Sequence, residues 1–174
     1  DHVRRLYGDR LPTGRGDRPT DRARSVDAMD LHHPTLVRAS AGQADTTLAI
    51  TGGFDDFTAP TRLPDWTVRV LVGHVTSAIE ALWRWQGPAP DGGTELDAVH
   101  YWTAVASIAD VNSQWAQAYA AKRTDDELLA VLAQALDRGT TVVEETDPAA
   151  PVALPASTFV VRFDQFVATR LVEL

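Results

Sequence analysis

Cysteine is absent from all 174 residues. Its absence excludes a disulfide framework, a thiolate-bound zinc and a thiol nucleophile belonging to the chain. Thiol chemistry, if there is any, must use a thiol brought from outside. Basic residues are the minority: 16 Lys and Arg stand against 24 Asp and Glu, a net charge of −8. Binding to nucleic acid or an anionic membrane surface rests on clustered cations, so no nucleic-acid partner is expected. Long apolar runs are missing as well. Nothing approaches the roughly 20 residues of a membrane span, and the basic N-terminal stretch lacks the apolar centre of a signal peptide. No membrane partner is expected, and a cytoplasmic location is.

What remains is the composition of a globular domain, 44% hydrophobic and 23% charged, and one domain is expected at this length. Residues 1–24 are rich in Arg, Asp, Gly and Pro and hold too little apolar material to offset the entropy of ordering them, so they are expected to form a flexible arm. Arg15, Gly16 and Asp17 within that arm spell an integrin-type tripeptide, which three residues easily produce by chance. Residues 25–174 are expected to make the domain, and its apolar helical pattern is still running at Leu174, so the domain is expected to be truncated at its C-terminus.

The segment from Leu63 to Val75, LPDWTVRVLVGHV, organises the pattern. Pro64 stops any earlier helix, Asp65 or Thr67 can cap a new one, and Val68, Leu71, Val72, Val75, Ile79 and Leu82 then recur at helical spacing. The spacing predicts a helix over 67–86. His74 falls about 80° from the middle of its apolar stripe, on an edge from which an imidazole can reach into a bundle. A single histidine at such an edge more often bonds a backbone carbonyl than a metal.

Four further helical stretches are expected. One covers 26–50, interrupted at His33-Pro34, with His32 and His33 as a solvated pair because neighbours on a helix diverge by about 100°. Another runs from Thr94, read with Asp97 as a capping box, to about Lys122, with His100 on the surface. Thr124 and Glu127 form a cleaner capping box for a third. Pro148, Pro151 and Pro155 then exclude a continuous helix, and Val152 to Val161 has room for one short extended segment, from which alone no sheet can be built. The last helix starts near Val161 or Arg162, and Glu173 lies on the edge of its stripe, about 20° from the direction of Phe166. The expected fold is therefore all-α, an antiparallel four-helix bundle with an additional helical segment. Trp66, Leu71, Val75, Trp102, Val105, Leu132, Phe163 and Phe166 are its expected core.

Leu63-Pro64, Trp66-Thr67-Val68-Arg69 and His74 together resemble the N-terminal signature of the mycothiol-dependent maleylpyruvate isomerase family, part of the wider DinB-like group of metal-binding helical bundles. Thr169 to Leu174 resembles that family's second signature. The resemblance implies a divalent metal, usually zinc, held by a histidine of the second helix and a Glu-x-x-x-His pair of the last. Carried over, His74 and Glu173 are metal ligands, and the third would lie four residues after Glu173, past Leu174. Arg170 is a candidate to bind a substrate carboxylate through its planar fork, or else to hold Glu173 or an inter-helix contact. Mycothiol is implied as the thiol cosubstrate, its thiolate adding to a small electrophile in an isomerase or an S-transferase. Val70 departs from the pattern, standing where relatives commonly carry an acidic residue. The competing reading is a non-catalytic ligand-binding or regulatory module on the same bundle, with Trp83 or Trp85 exposed for a partner and a homodimer as one form.

Overall fold

A computed structural model describes residues 31–155 and 157–174, so the expected arm and the first residues of the domain lie outside the described residues. In chain order the elements are α1 (His33–Thr51), α2 (Val68–Arg84), β1 (Thr94–Leu96), α3 (Ala98–Ala106), α4 (Ala109–Ala120), α5 (Asp125–Glu145), β2 (Pro151–Ala153), β3 (Phe159–Arg162) and α6 (Phe163–Glu173). The chain is mostly helical. α2 is the central element, packing on α4, α5 and α6, while α1 lies against α5 and α6.

Capping chemistry sets two of the helix starts as the sequence predicts. Thr67 takes extended backbone angles, and its hydroxyl accepts from the Val70 amide at the start of α2. At α5 the reciprocal box is complete: the Thr124 hydroxyl accepts from the Glu127 amide, and Glu127 Oε2 accepts from the Thr124 amide at 2.7 Å. Arg69, the second residue of α2, pins the two starts together through Asp125 at 2.5 Å and the Arg123 carbonyl at 2.7 Å.

Two glycines let α2 sit this close to its neighbours. A β-carbon at Gly73 would lie 3.2 Å from the Ala120 Cβ of α4, and one at Gly139 of α5 would lie 2.9 Å from Ile79 Cγ2. Around these approaches Leu128, Leu132, Phe163, Phe166 and Val167 are almost entirely withdrawn from solvent. At about 2–3 kcal/mol per fully buried large apolar side chain, this cluster is the main stabilising mass of the domain.

The all-α expectation needs correction, because the chain also carries a three-stranded sheet of order β1-β3-β2. The 152–161 segment is not a single strand. Its middle turns, where the Leu154 amide donates to the Phe159 carbonyl and the Ser157 amide to the Leu154 carbonyl, and folds β2 antiparallel onto β3 with Val152 opposite Val161. β1 then pairs in parallel with β3, Glu95 opposite Val160. Thr94 is therefore a strand residue and not a helix cap; the cap is Asp97, whose carboxylate accepts from the His100 amide at 2.8 Å. The same carboxylate holds the His100 ring, which is exposed.

The expected third helix is two helices. Ser107 turns its hydroxyl back onto the Ala104 carbonyl at 2.6 Å, competing with the ladder, and Ile108 leaves helical geometry to bury its side chain. Of the expected core, Val75, Leu132, Phe163 and Phe166 are buried, whereas Trp66, Leu71, Trp102 and Val105 are half-buried. Trp83 and Trp85 are half-buried too, not exposed: Arg138 lies over the Trp83 ring and Trp85 stacks on Trp115. Among the described residues no helix is long and apolar enough to cross a membrane.

Candidate functional site

α2, α3, α4 and α6 converge on one pocket, lined by His74, Ser77, Trp85, Tyr101, Val105, Asn112, Trp115, Arg170 and Glu173 among others. His74 enters from α2. Asp65, in left-handed backbone at φ 61°, turns the chain so that Trp66 swings over the histidine. The rings meet edge-on at 5.1 Å, and the indole N–H is anchored on Ser113 Oγ at 2.8 Å. Neither ring nitrogen of His74 makes a hydrogen bond among the described residues. Burial, followed by the positive charge of Arg170, pushes its pKa down to about 4, so the imidazole is neutral at neutral pH.

Arg170 and Glu173 enter from α6. The guanidinium is 5% exposed and fully engaged. Nη1 lies 2.8 Å from Glu173 Oε2, Nη2 donates to the Tyr101 hydroxyl at 2.5 Å, and Nε and Nη2 both donate to Thr169 Oγ1. Phe166 and Tyr101 cover it with ring faces and edges at 4.7 and 5.2 Å. Glu173 is less well served. Its Oε2 is buried and, despite the short approach to Arg170, falls outside hydrogen-bond geometry. Burial raises its pKa, with the Arg170 charge working in the opposite direction.

The structure thus brings the three residues singled out from the sequence, His74, Arg170 and Glu173, to the walls of a single pocket. Their fit to a metal is partial. A neutral imidazole with free nitrogens and a carboxylate oxygen lacking a hydrogen bond are donors of the right chemistry. Against that, the Arg170 charge sits where a cation would approach Glu173, and among the described residues no group of three His, Cys, Asp or Glu side chains could hold a metal ion. Two donors fall short of the three protein ligands of a catalytic zinc.

Tyr101, Asn112, Trp85 and Trp115 were not legible as site residues. Their helices are predictable, but which of their side chains share a pocket depends on the Ser107 break and the sheet, which set where α3 lies against α6. The one available signal was chemical: a tyrosine within a strongly apolar helix needs a buried partner for its hydroxyl.

Comparison with known proteins decides the ancestry. The family model described as the mycothiol maleylpyruvate isomerase N-terminal domain matches residues 37–174. The chain belongs to this family. The match runs from within α1 to the end of α6 and therefore includes every residue of the pocket. Neither a curated protein nor a solved structure matches the chain. Membership links the domain to mycothiol, a low-molecular-weight thiol, consistent with a sequence that has no thiol of its own.

Proposed function

We propose that this domain carries thiol-dependent chemistry on a small electrophile at the His74 pocket, as an isomerase or S-transferase using mycothiol on a DinB-like bundle. The observation that carries the proposal is the convergence of His74, Arg170 and Glu173 on one pocket of a family member that lacks cysteine. In the addition step the thiol S–H and the substrate π bond break, and S–C and C–H bonds form. Reversal after rotation about the resulting single bond gives isomerisation; retention of the S–C bond gives a thioether.

The residues divide the work by charge. His74, neutral and without a hydrogen bond on its ring, is placed to accept a hydrogen bond from the thiol, and Arg170 supplies a fixed positive charge that favours the thiolate. In the metal-dependent form of the proposal, His74 and Glu173 are two ligands of a divalent cation, zinc by family resemblance, with a third donor from outside the described residues. Such a cation would favour thiolate over thiol. Arg170 would meet a substrate carboxylate only after releasing Glu173, which a cation on that carboxylate would promote.

The completeness of the Arg170 network favours a second reading. A guanidinium bonded to Tyr101 and Thr169 and paired with Glu173 also describes a non-catalytic ligand-binding or regulatory module. Incubating the protein with mycothiol and an activated alkene, and following the alkene isomers and the thioether by mass spectrometry, separates the two. Product formation that is lost in His74→Ala supports the enzyme; no product with or without added zinc supports the module.

A further inference from the structure

The torsion that sets the ring plane of a histidine is broad, so a fixed imidazole owes its orientation to something outside it, most often a hydrogen bond to one ring nitrogen. Among the described residues neither ring nitrogen of His74 has such a bond. Its own helix offers no substitute. One turn away on either side stand Val70 and Ala78, which have no polar side-chain atoms, and Ser77 directs its hydroxyl to the His74 carbonyl at 2.9 Å. The ring is met instead by Trp66, with centroids 5.1 Å apart and planes at 66°. Aromatic rings favour this edge-on packing, and an imidazole that turned about its own bond would lose it.

The indole is held at both ends. Its N–H donates to Ser113 Oγ of α4 at 2.8 Å. At its root the Trp66 amide donates to the Leu63 carbonyl at 3.2 Å, and the Trp66 carbonyl accepts from the Thr61 amide at 2.8 Å. The segment carrying it is bonded to α2 in turn: the Val68 and Arg69 amides, which a helix start leaves without intrahelical partners, donate to the Ala59 and Phe57 carbonyls, each at 2.9 Å. Phe57 is itself buried. Trp66 therefore has a fixed position relative to both α2 and α4. It does not line the pocket, so any effect it has on a molecule bound there passes through His74.

We propose that Trp66 is a positioning residue for this site: the indole, braced by Ser113, sets the plane of the His74 ring, so that the imidazole meets its partner in the pocket already oriented. A ring ordered in advance loses less freedom on binding, which strengthens the contact it makes. The partner is the thiol of mycothiol, and in this respect the role of Trp66 rests on the thiol-using reading of the pocket.

Two measurements test this together. Nuclear relaxation of the His74 ring carbons, assigned by their loss in His74→Gln and recorded with a chelator present, reads how firmly the protein itself holds the ring; calorimetric titration with mycothiol reads the consequence. The ring order parameter should be about 0.85 in wild type and below about 0.6 in Trp66→Leu, with Trp66→Phe between them because it keeps an aromatic edge without the bond to Ser113. Mycothiol affinity should fall at least fivefold in Trp66→Leu and at least twofold in Ser113→Ala, with unchanged helical circular dichroism. Should Trp66→Leu fail to fold, Ser113→Ala carries the test: it removes only the brace, alanine suits a helix, and the order parameter should still fall. A tryptophan that merely filled space would leave the ring as ordered in Ser113→Ala and Trp66→Phe as in wild type, and that result overturns the positioning role. Wild-type mycothiol affinity retained in variants whose ring has loosened overturns it too. A ring that loosens in the variants of a protein that binds no mycothiol upholds the positioning and overturns the thiol-using reading.

Discussion

Arg170 and Glu173 stand one turn apart on α6, with Nη1 and Oε2 at 2.8 Å, yet the carboxylate oxygen is buried without a hydrogen bond. The guanidinium directs its hydrogen bonds to Tyr101 and Thr169 instead. The pair is therefore held by charge rather than by a fork-to-fork bond. Glu173 keeps a lone-pair direction open to another partner.

Removing the charge of Arg170 should expose that arrangement. Arg170→Met leaves a buried carboxylate with no cation and should cost about 3 kcal/mol, while the additional Glu173→Gln change should recover more than half of the loss. Denaturant unfolding of the two single variants and the double variant measures the coupling. Equal and additive losses would show that the two side chains do not depend on each other.

Acid should destabilise the metal-free protein through His74. Its folded pKa, about 4, lies below the ordinary 6.5, so the unfolded chain binds the proton more readily between those values. Its stabilising contribution is thus complete above pH 6.5 and lost as pH falls toward 4, by up to roughly 3 kcal/mol. Glu173, with a raised pKa, works oppositely: its contribution is fully present below the ordinary carboxylate range and lost as pH rises through its folded pKa. With a chelator present, unfolding of wild type and His74→Gln should differ in slope between pH 6.5 and 4, the variant being flatter. Parallel curves would place the imidazole in solvent.

Packing of α2 on α5 predicts the sign of a glycine replacement. Alanine normally favours a helix by about 1 kcal/mol over glycine. At Gly139 the new methyl would meet Ile79 Cγ2 at 2.9 Å, a β-branched side chain with little freedom to move. Overpacking of this kind costs about 1–3 kcal/mol, so Gly139→Ala should lower the melting temperature. A rise would mean that the helices separate easily.

The sequence was most readable where local chemistry acts alone. The Thr124 and Glu127 box, the Thr67 cap and the stripe of α2 depend on neighbours within one turn, and the structure has them as read. Thr94 misled because threonine three residues before an acid has the composition of a capping box, whereas its partner is Phe159, distant in sequence. The same holds for Val152 and Val161, whose pairing needs a turn that the prolines conceal. For the pocket, edge positions on two helices placed His74 and Glu173, and family resemblance supplied the reason to pair them. The Arg170 network needed Tyr101, and nothing local in the sequence joins residues on separate helices.

In the proposed function the His74 pocket is the place where an external thiol is used. Calorimetric titration of mycothiol into wild type and His74→Ala, with and without added zinc, tests this most directly. Saturable binding by wild type that weakens at least tenfold in a folded His74→Ala protein is the predicted result. Equal affinity of the two proteins, or no binding by either, would contradict it.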